Sequence, residues 1–345
     1  MGLRDEILEQ PAAIGRLLDS APTAFASLSA AFESRRPRFA VIAARGTSDN
    51  AGIYAQYLLA IRNGLIVSLA APSTITLYGA RPNMADALVI GISQSGRSPD
   101  IVAVVEEARR QGALTVALTN DADSALAETA DHVIDLRAGP ELATAATKTY
   151  TTELLAAALL STALDRPSPS EANDLAGLPA LLSEALNAEA HARDLAAAHA
   201  DRQRAVVLGR GYSYPSAREW ALKLQEMALV AAMPYSAADF EHGPLALAEP
   251  GLPVLAVAPG GTDLDAQLEL LTRLKEDHGA RLLVLSDVPA ARDIDEGLAL
   301  PAGIPTWLAP IVEIAPAQLY AYHLTVARGL DPDHPRSISK ITETR

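Results

Sequence analysis

"LVIGISQSGRSPDIV", residues 88–102, is an apolar run followed by a polar loop and the start of a helical pattern. A short apolar run bounded by turn residues is typical of a buried strand. The segment therefore predicts a β-strand that passes through a tight loop into an α-helix. This is the repeating unit of parallel sheets.

The same alternation of strand and helix extends through the first half of the chain. Amphipathic stretches such as residues 98–112 separate the apolar runs. The predicted buried strands lie in residues 38–46, 64–72, 87–93, 113–120 and 132–136. This pattern predicts an α/β fold with a doubly wound parallel sheet flanked by helices, as in flavodoxin-like and Rossmann-like proteins.

The second half repeats the first at a constant offset. Arg45-Gly46 is echoed by Arg210-Gly211 after 165 residues, and residues 88–96 by residues 253–261 at the same spacing. Chance similarity between apolar runs would not keep its offset. The sequence therefore predicts a duplicated domain.

These patterns divide the chain into four predicted segments. Proline and serine in residues 164–175 favour a helix break near the middle. We predict a first domain in 1–165, one long linker helix in 166–200, a second domain in 201–330 and a tail in 331–345.

The serine loop, residues 93–98, has the chemistry of a phosphate site. Ser98 suits a helix N-cap, Pro99 suits the first helical position, and Gly96 permits a tight turn. The free N–H groups of a helix N-terminus favour an anion. The polar side chains that can add hydrogen bonds are Ser93, Gln94, Ser95 and Ser98, with Thr47 and Ser48 after a neighbouring strand. An ordinary capped turn would need only one serine.

The corresponding loop of the second half, residues 258–265, lacks those serines, which predicts one phosphate site per chain. The formal net charge of −14 makes nucleic acid and anionic membranes poor partners. It also means that a phosphate must be held by local hydrogen bonds. Cysteine is absent, the histidines are scattered, and no apolar run reaches membrane-spanning length. We expect a cytoplasmic protein without a metal or other cofactor.

Catalytic groups are expected in the second half. Residues 216–235 read as one helix in which Lys223 and Glu226 lie on an apolar face. They are either a structural ion pair or a proton-transfer pair with a tuned carboxylate. His242 precedes a Gly-Pro turn and Lys340 lies in a tail rich in proline and isoleucine, although neither context is specific to catalysis.

Five stretches resemble, in order, the isomerase half of glucosamine-6-phosphate synthase, which is built from two sugar-isomerase (SIS) domains. These stretches are "ARGTS", "ISQSGRSPD", "GPELATAATKTYTTEL", "ALKLQEMALVAAMPYSAADFEHGPLAL" and "DPDHPRSISK". The resemblance begins at residues 6–14 and covers nearly the whole chain. The glutaminase half of the two-part enzyme has no counterpart in the 345 residues.

The resemblance implies a role for each matching position. Glu226 matches the base that moves a proton between C1 and C2, with Lys223 as its helper. His242 matches the ring-opening residue, which reaches in from the second subunit of a homodimer. Lys340 matches the Schiff-base lysine. Glu141 and Thr144 match positions near the sugar, and the hydroxyls of the serine loop match the phosphate site, with Thr47 and Ser48 beside it.

The chain departs from the family pattern at five positions. Arg45 stands for a cysteine, Ser98 for threonine, Gln225 for lysine, Ala146 for serine and Thr144 for valine. The phosphate chemistry tolerates these changes, whereas selectivity for the sugar is open.

Without glutaminase chemistry, the reverse reaction is favoured because released ammonia dilutes away. We expect deamination of glucosamine 6-phosphate to fructose 6-phosphate. The alternatives are galactosamine 6-phosphate or a fructosamine phosphate as substrate, plain aldose–ketose isomerisation, and a sugar-phosphate sensor. A sensor has no use for Glu226, His242 and Lys340 together, and its DNA-binding domain would not fit before Phe39.

Overall fold

The computed structural model describes residues 2–165 and 168–340, in two compact units. The first unit consists of residues 12–141, 148–176 without 166–167, and 339–340. The second consists of residues 2–11, 142–147 and 177–338. In the described part of the chain, no helix combines the length and apolarity needed to cross a membrane.

The regular elements alternate along the chain. The strands are β1 (Phe39–Ala43), β2 (Ile66–Leu69), β3 (Ala87–Ile92), β4 (Leu114–Thr119), β5 (His132–Asp135), β6 (Arg204–Gly209), β7 (Ala231–Ser236), β8 (Pro253–Val257), β9 (Arg281–Ser286) and β10 (Glu296–Ala299). The helices are α1 (Leu3–Leu8), α2 (Gln10–Arg35), α3 (Thr47–Asn63), α4 (Ser73–Thr76), α5 (Pro99–Arg110), α6 (Ala125–Thr129), α7 (Lys148–Leu164), α8 (Pro169–Ala185), α9 (Glu189–Ala198), α10 (Tyr214–Glu226), α11 (Ala237–Glu241), α12 (Leu264–Glu276), α13 (Pro289–Arg292) and α14 (Ala309–Ala327).

The first unit contains a parallel sheet of strand order β2-β1-β3-β4-β5. Every residue of β3 and β4 is buried. The apolar face of α5, with Val104 and Val105, packs against Val89 and Ala117 of these strands. This confirms the predicted α/β fold with a parallel sheet.

The strand order reverses between β1 and β3, because the chain adds β2 on one side and then continues on the other. Ligands of open α/β sheets bind at such a switch point, beyond the carboxyl ends of the strands. The serine loop follows β3, and the segment from Arg45 to Ser48 follows β1. The fold thus brings both polar segments to one edge.

The second unit contains a parallel sheet of order β10-β9-β8-β6-β7. Numbered from β6, this is the order of the first sheet, so the two sheets share one topology. The predicted duplication is confirmed at the level of the fold. Its switch point lies between β6 and β8.

The prediction that all five strands of the first half are buried was wrong for the two edge strands, β2 and β5. Ile66 of β2 is 79% exposed, and only Ile134 of β5 is buried. An edge strand keeps one side open, which its apolar composition does not reveal.

The prediction of one helix over residues 216–235 was also wrong. α10 ends at Glu226, Leu229 has a φ of 55°, and β7 then pairs in parallel with β6. Val230 therefore does not share a helix face with Lys223. No glycine or proline marks the end of α10, and β7 forms because it pairs with β6.

The helix break near the middle lies where it was predicted, since α7 ends at Leu164 and α8 begins at Pro169. The linker is not one helix: a 3-10 turn at Leu186–Ala188 separates α8 from α9. The first two residues of the predicted linker, 166–167, and residues 341–345 of the predicted tail lie outside the described residues.

Candidate active site

The serine loop lies at the switch point of the first sheet. Ser98 is the N-cap of α5 and Pro99 its first residue, as predicted, but the Ser98 side chain makes no capping hydrogen bond. Pro99 has no N–H, and the N–H of Ile101 donates to Ser98 O at 3.1 Å and to Asp100 Oδ1 at 2.9 Å. The N–H of Asp100 and the Ser98 hydroxyl are therefore the groups at the start of α5 that can be offered to an anion.

The other two serine hydroxyls accept hydrogen bonds inside the loop. The backbone N–H of Gly96 donates to Ser93 Oγ at 3.2 Å, and that of Arg97 donates to Ser95 Oγ at 3.4 Å. A hydroxyl that accepts still has a hydrogen to donate. Ser93 is buried, whereas Gln94, Ser95 and Ser98 are partly exposed.

Gly96 holds the loop in place. It has a φ of 62°, and a Cβ at this position would lie 2.0 Å from Ser124 Oγ. Its carbonyl accepts the backbone N–H of Leu126 at 3.0 Å, and Ser124 caps α6. The loop is thus packed directly on the N-terminus of α6.

Thr47 and Ser48 begin α3, after β1. Ser48 is buried and donates its hydroxyl hydrogen to Glu153 Oε1 at 2.8 Å. Glu153 lies on α7 and is itself 1% exposed. Ser48 therefore ties the start of α3 to α7, while Thr47 is only partly buried.

Lys340 and Glu141 form an ion pair in the first unit, although 199 residues separate them. Lys340 Nζ lies 2.7 Å from Glu141 Oε2, and the Glu141 side chain is fully buried. Thr149 donates to the same carboxylate from its backbone N–H at 3.1 Å and its hydroxyl at 2.6 Å. Thr144, which belongs to the second unit, is partly buried.

In the second unit, Lys223 lies between two carboxylates of α10. Its Nζ is 2.9 Å from Glu226 Oε2 and 3.2 Å from Glu219 Oε1. Burial alone would lower the pKa of Lys223, but the two negative charges and their hydrogen bonds outweigh it and raise that pKa. Lys223 thus stays protonated.

The two carboxylates differ in solvent exposure. The Glu226 side chain is 20% exposed at the end of the helix, whereas that of Glu219 is 0% exposed. Only Glu226 can reach a ligand. Glu219 was missed by the sequence reasoning, although its position four residues before Lys223 is the spacing of a helical ion pair.

His242 follows α11, and its side chain is exposed. The chain turns directly after His242, at Gly243, which has a φ of 127°. The turn therefore leaves the imidazole exposed.

The switch point of the second sheet is acidic. Asp287 Oδ1 accepts the backbone N–H of Gly260 at 2.7 Å, and Asp263 precedes α12. The fully buried Glu313 of α14 accepts from Ser213 Oγ at 3.1 Å. Burial raises the pKa of Glu313 to about 7, with Asp263 and Asp287 adding to it against the hydrogen bond from Ser213.

Comparison with known proteins shows which family the chain belongs to. A family model described as SIS domain matches residues 35–163 and 200–328. The chain belongs to the SIS domain family. Each SIS match contains one of the two five-stranded sheets.

The SIS chain is similar to larger proteins. A glutamine–fructose-6-phosphate aminotransferase (isomerizing) of Methanothermobacter thermautotrophicus is 33% identical over 338 residues, which are 97% of this chain and 56% of that protein. The chain spans about half the length of the curated relatives it matches.

Two crystal structures resemble the SIS chain over nearly its whole length. A protein of Silicibacter pomeroyi, provisionally named a phosphosugar isomerase, is 35% identical with a TM-score of 0.86, covering 96% of this chain and all of that one. The C-terminal domain of glucosamine-fructose-6-phosphate aminotransferase from Francisella tularensis is 28% identical with a TM-score of 0.87, covering 95% and 97%.

Proposed function

We propose that this chain is a cytoplasmic glucosamine-6-phosphate deaminase, which converts glucosamine 6-phosphate to fructose 6-phosphate and ammonia. Its relatives are named for fructose 6-phosphate amination and for phosphosugar isomerisation, which supports an enzyme of hexose phosphates. The observation that carries deamination is the paired amine of Lys340, in the same unit as the serine loop.

In this proposal the serine loop holds the phosphate. The N–H of Asp100 at the start of α5 supplies one donor, and the hydroxyls of Ser93, Ser95 and Ser98 supply further donors. Gln94 and Thr47 add side-chain contacts, while Ser48 fixes the start of α3. Each hydrogen bond to a charged group contributes about 1.5–3 kcal/mol, so a few are enough without a metal ion.

In this proposal Glu226 transfers the proton between C2 and C1. After His242 has opened the sugar ring, Glu226 takes the C2 proton and returns it to C1, so that the aldose amine becomes a ketose imine. Lys223 remains a cation, with its Nζ 2.9 Å from the Glu226 carboxylate. Positioned acid–base catalysis of this kind contributes about 10²–10⁴-fold.

Lys340 then exchanges for ammonia. Its neutral amine attacks C2 of the imine, ammonia leaves, and water hydrolyses the new imine to release fructose 6-phosphate. The ammonium form must first lose a proton, and Glu141 is within hydrogen-bonding distance to accept it. Glu141 and Thr144 are also proposed to contact the sugar.

A second candidate is aldose–ketose isomerisation without nitrogen chemistry, which the name of the 35% identical relative favours. This reaction needs Glu226 and His242 but no lysine amine.

The test measures ammonia and fructose 6-phosphate from glucosamine 6-phosphate and galactosamine 6-phosphate, beside isomerisation of glucose 6-phosphate. We expect ammonia release to fall at least about a hundredfold in Glu226→Gln and in Lys340→Met, with sugar-phosphate binding retained. Glu276→Gln, an exposed change at the end of α12, is the matched control. Deamination is rejected in favour of the second candidate if the wild type releases no ammonia and Lys340→Met still isomerises glucose 6-phosphate.

We further propose a homodimer in which His242 serves the site of the other subunit. Mixing inactive Glu226→Gln and His242→Asn proteins then restores activity at some sites, since each dimer can combine one intact set. No recovery in stable mixed dimers would contradict the shared site.

A further inference from the structure

Arg45 lies beside the serine loop and is held by a buried carboxylate. Its Nε donates to Asp100 Oδ2 at 2.8 Å. The Asp100 side chain is 2% exposed, whereas that of Arg45 is 49% exposed. Arg45 follows β1 and Asp100 is the second residue of α5, so the pair spans the β1/β3 switch point.

Asp100 by itself opposes an anion. Its negative charge lies two residues after Ser98, in the first turn of α5, and its Oδ1 accepts the backbone N–H of Ile101 at 2.9 Å. A buried charge also needs a partner. Arg45 supplies that partner and offsets the repulsion between Asp100 and an incoming phosphate.

The guanidinium has capacity beyond this ion pair. An arginine carries five N–H donors, and the bond to Asp100 uses the one at Nε. Within residues 2–165 and 168–340, the structure records no other hydrogen bond or ion pair of the Arg45 side chain. The Nη groups are therefore open to a ligand at the switch point, where half of the side chain is exposed.

We propose that Arg45 is a phosphate-binding residue, which Asp100 orients toward the serine loop. The inference rests on the proposed function, because it places the substrate phosphate in that loop. A guanidinium is suited to phosphate oxygens through paired, charge-assisted hydrogen bonds. In a chain of net charge −14, this local cation offsets a field that repels the substrate.

Arg97 lies within the serine loop itself, and the setting of its side chain differs from that of Arg45. Its side chain is 60% exposed and lies 3.2 Å from Asp121, which is itself partly exposed. Nothing buried orients it. Of these two arginines, Arg45 is the one whose guanidinium is held by a buried carboxylate.

The experiment measures binding of fructose 6-phosphate by calorimetry, which requires no turnover. Arg45→Gln should weaken binding about tenfold to hundredfold, the effect of a hydrogen-bonded charge on an anion. Arg45→Lys should recover part of the loss. Unphosphorylated fructose measures what the sugar contributes without the phosphate. Arg109→Gln, at the far end of α5, controls for the same change in net charge.

The role of Asp100 is separated by a double-mutant cycle. In the Asp100→Asn background, Arg45→Gln should still weaken binding about tenfold. If its effect disappears there, Arg45 only neutralises Asp100 and the proposal is overturned. Unchanged binding in Arg45→Gln overturns it as well. An intact Arg45 effect in a protein that releases no ammonia would instead reject only the proposed reaction, and thermal melts confirm that each variant is folded.

Discussion

Glu313 shows how one buried side chain makes stability depend on pH. Its carboxyl group is fully buried on α14, and burial, with Asp263 and Asp287 nearby, raises its pKa to about 7. In the unfolded chain the same group titrates near 4.5. A raised pKa in the folded state means that the stabilising contribution is complete below pH 4.5 and is lost as the pH rises through 7.

Glu313→Gln should therefore remove a pH-dependent loss of stability. The amide does not ionise, so the free energy of unfolding of the variant does not fall with this titration. Its difference from the wild type should therefore be about 3 kcal/mol more favourable at pH 8 than at pH 4.5. Chemical denaturation at the two pH values measures the difference. Glu276→Gln, on an exposed carboxylate, should show no such gain. An equal stability difference at both pH values would contradict the assignment.

At the scale of the element, the serine loop depends on the packing of a turn between β3 and α5. Gly96 and Gly46 both have φ values in the left-handed region, at 62° and 56°. They differ in what a side chain would meet. A Cβ on Gly96 would collide with Ser124, whereas a Cβ on Gly46 has nothing within 4 Å.

This pair of glycines separates backbone strain from steric overlap. Gly46→Ala should cost about 1 kcal/mol from its backbone conformation alone. Gly96→Ala should cost about 2–4 kcal/mol, because overpacking is added to the same strain, and sugar-phosphate binding should fall with it. Urea denaturation and calorimetry check both. Equal costs at the two positions would mean that Ser124 does not hold the loop.

At the scale of the whole molecule, the duplicated sheets have diverged at their switch points. The first has the hydroxyl-rich loop of residues 93–98, whereas the second has Asp263 and Asp287 near the corresponding loop. Carboxylates repel a phosphate that hydroxyls would bind. We therefore expect the duplicated fold to carry one anion site rather than two.

Titration should give one sugar phosphate per chain. The Ser93→Ala, Ser98→Ala double variant should lose at least tenfold in affinity, since two hydrogen bonds to a charged group are removed. Thr262→Ala, in the loop of the second sheet, should bind as the wild type does. Two equivalents per chain, or undiminished affinity in the double serine variant, would contradict a single site.

The sequence was most informative where a feature is local. β3, the serine loop and α5 were predicted because an apolar run, a glycine turn and a Ser-Pro helix start follow one another within a few residues. It was least informative after Glu226, where "MALVAAM" suits both a helix and a strand. The helix ends there and β7 forms because Ala231–Ser236 pairs with β6, the preceding strand, which lies on the other side of α10 in the chain.

The amino-acid sequence by itself determined the two α/β halves, the hydroxyl loop and the residue types that chemistry on a sugar phosphate needs. Only the tertiary structure decided which of them meet. Lys340 and Glu141 pair across 199 residues, and Arg45 reaches Asp100 because β1 and β3 are neighbours. Local periodicity encodes strands and helices, whereas contacts between distant residues depend on the strand order and on which charges burial forces to pair.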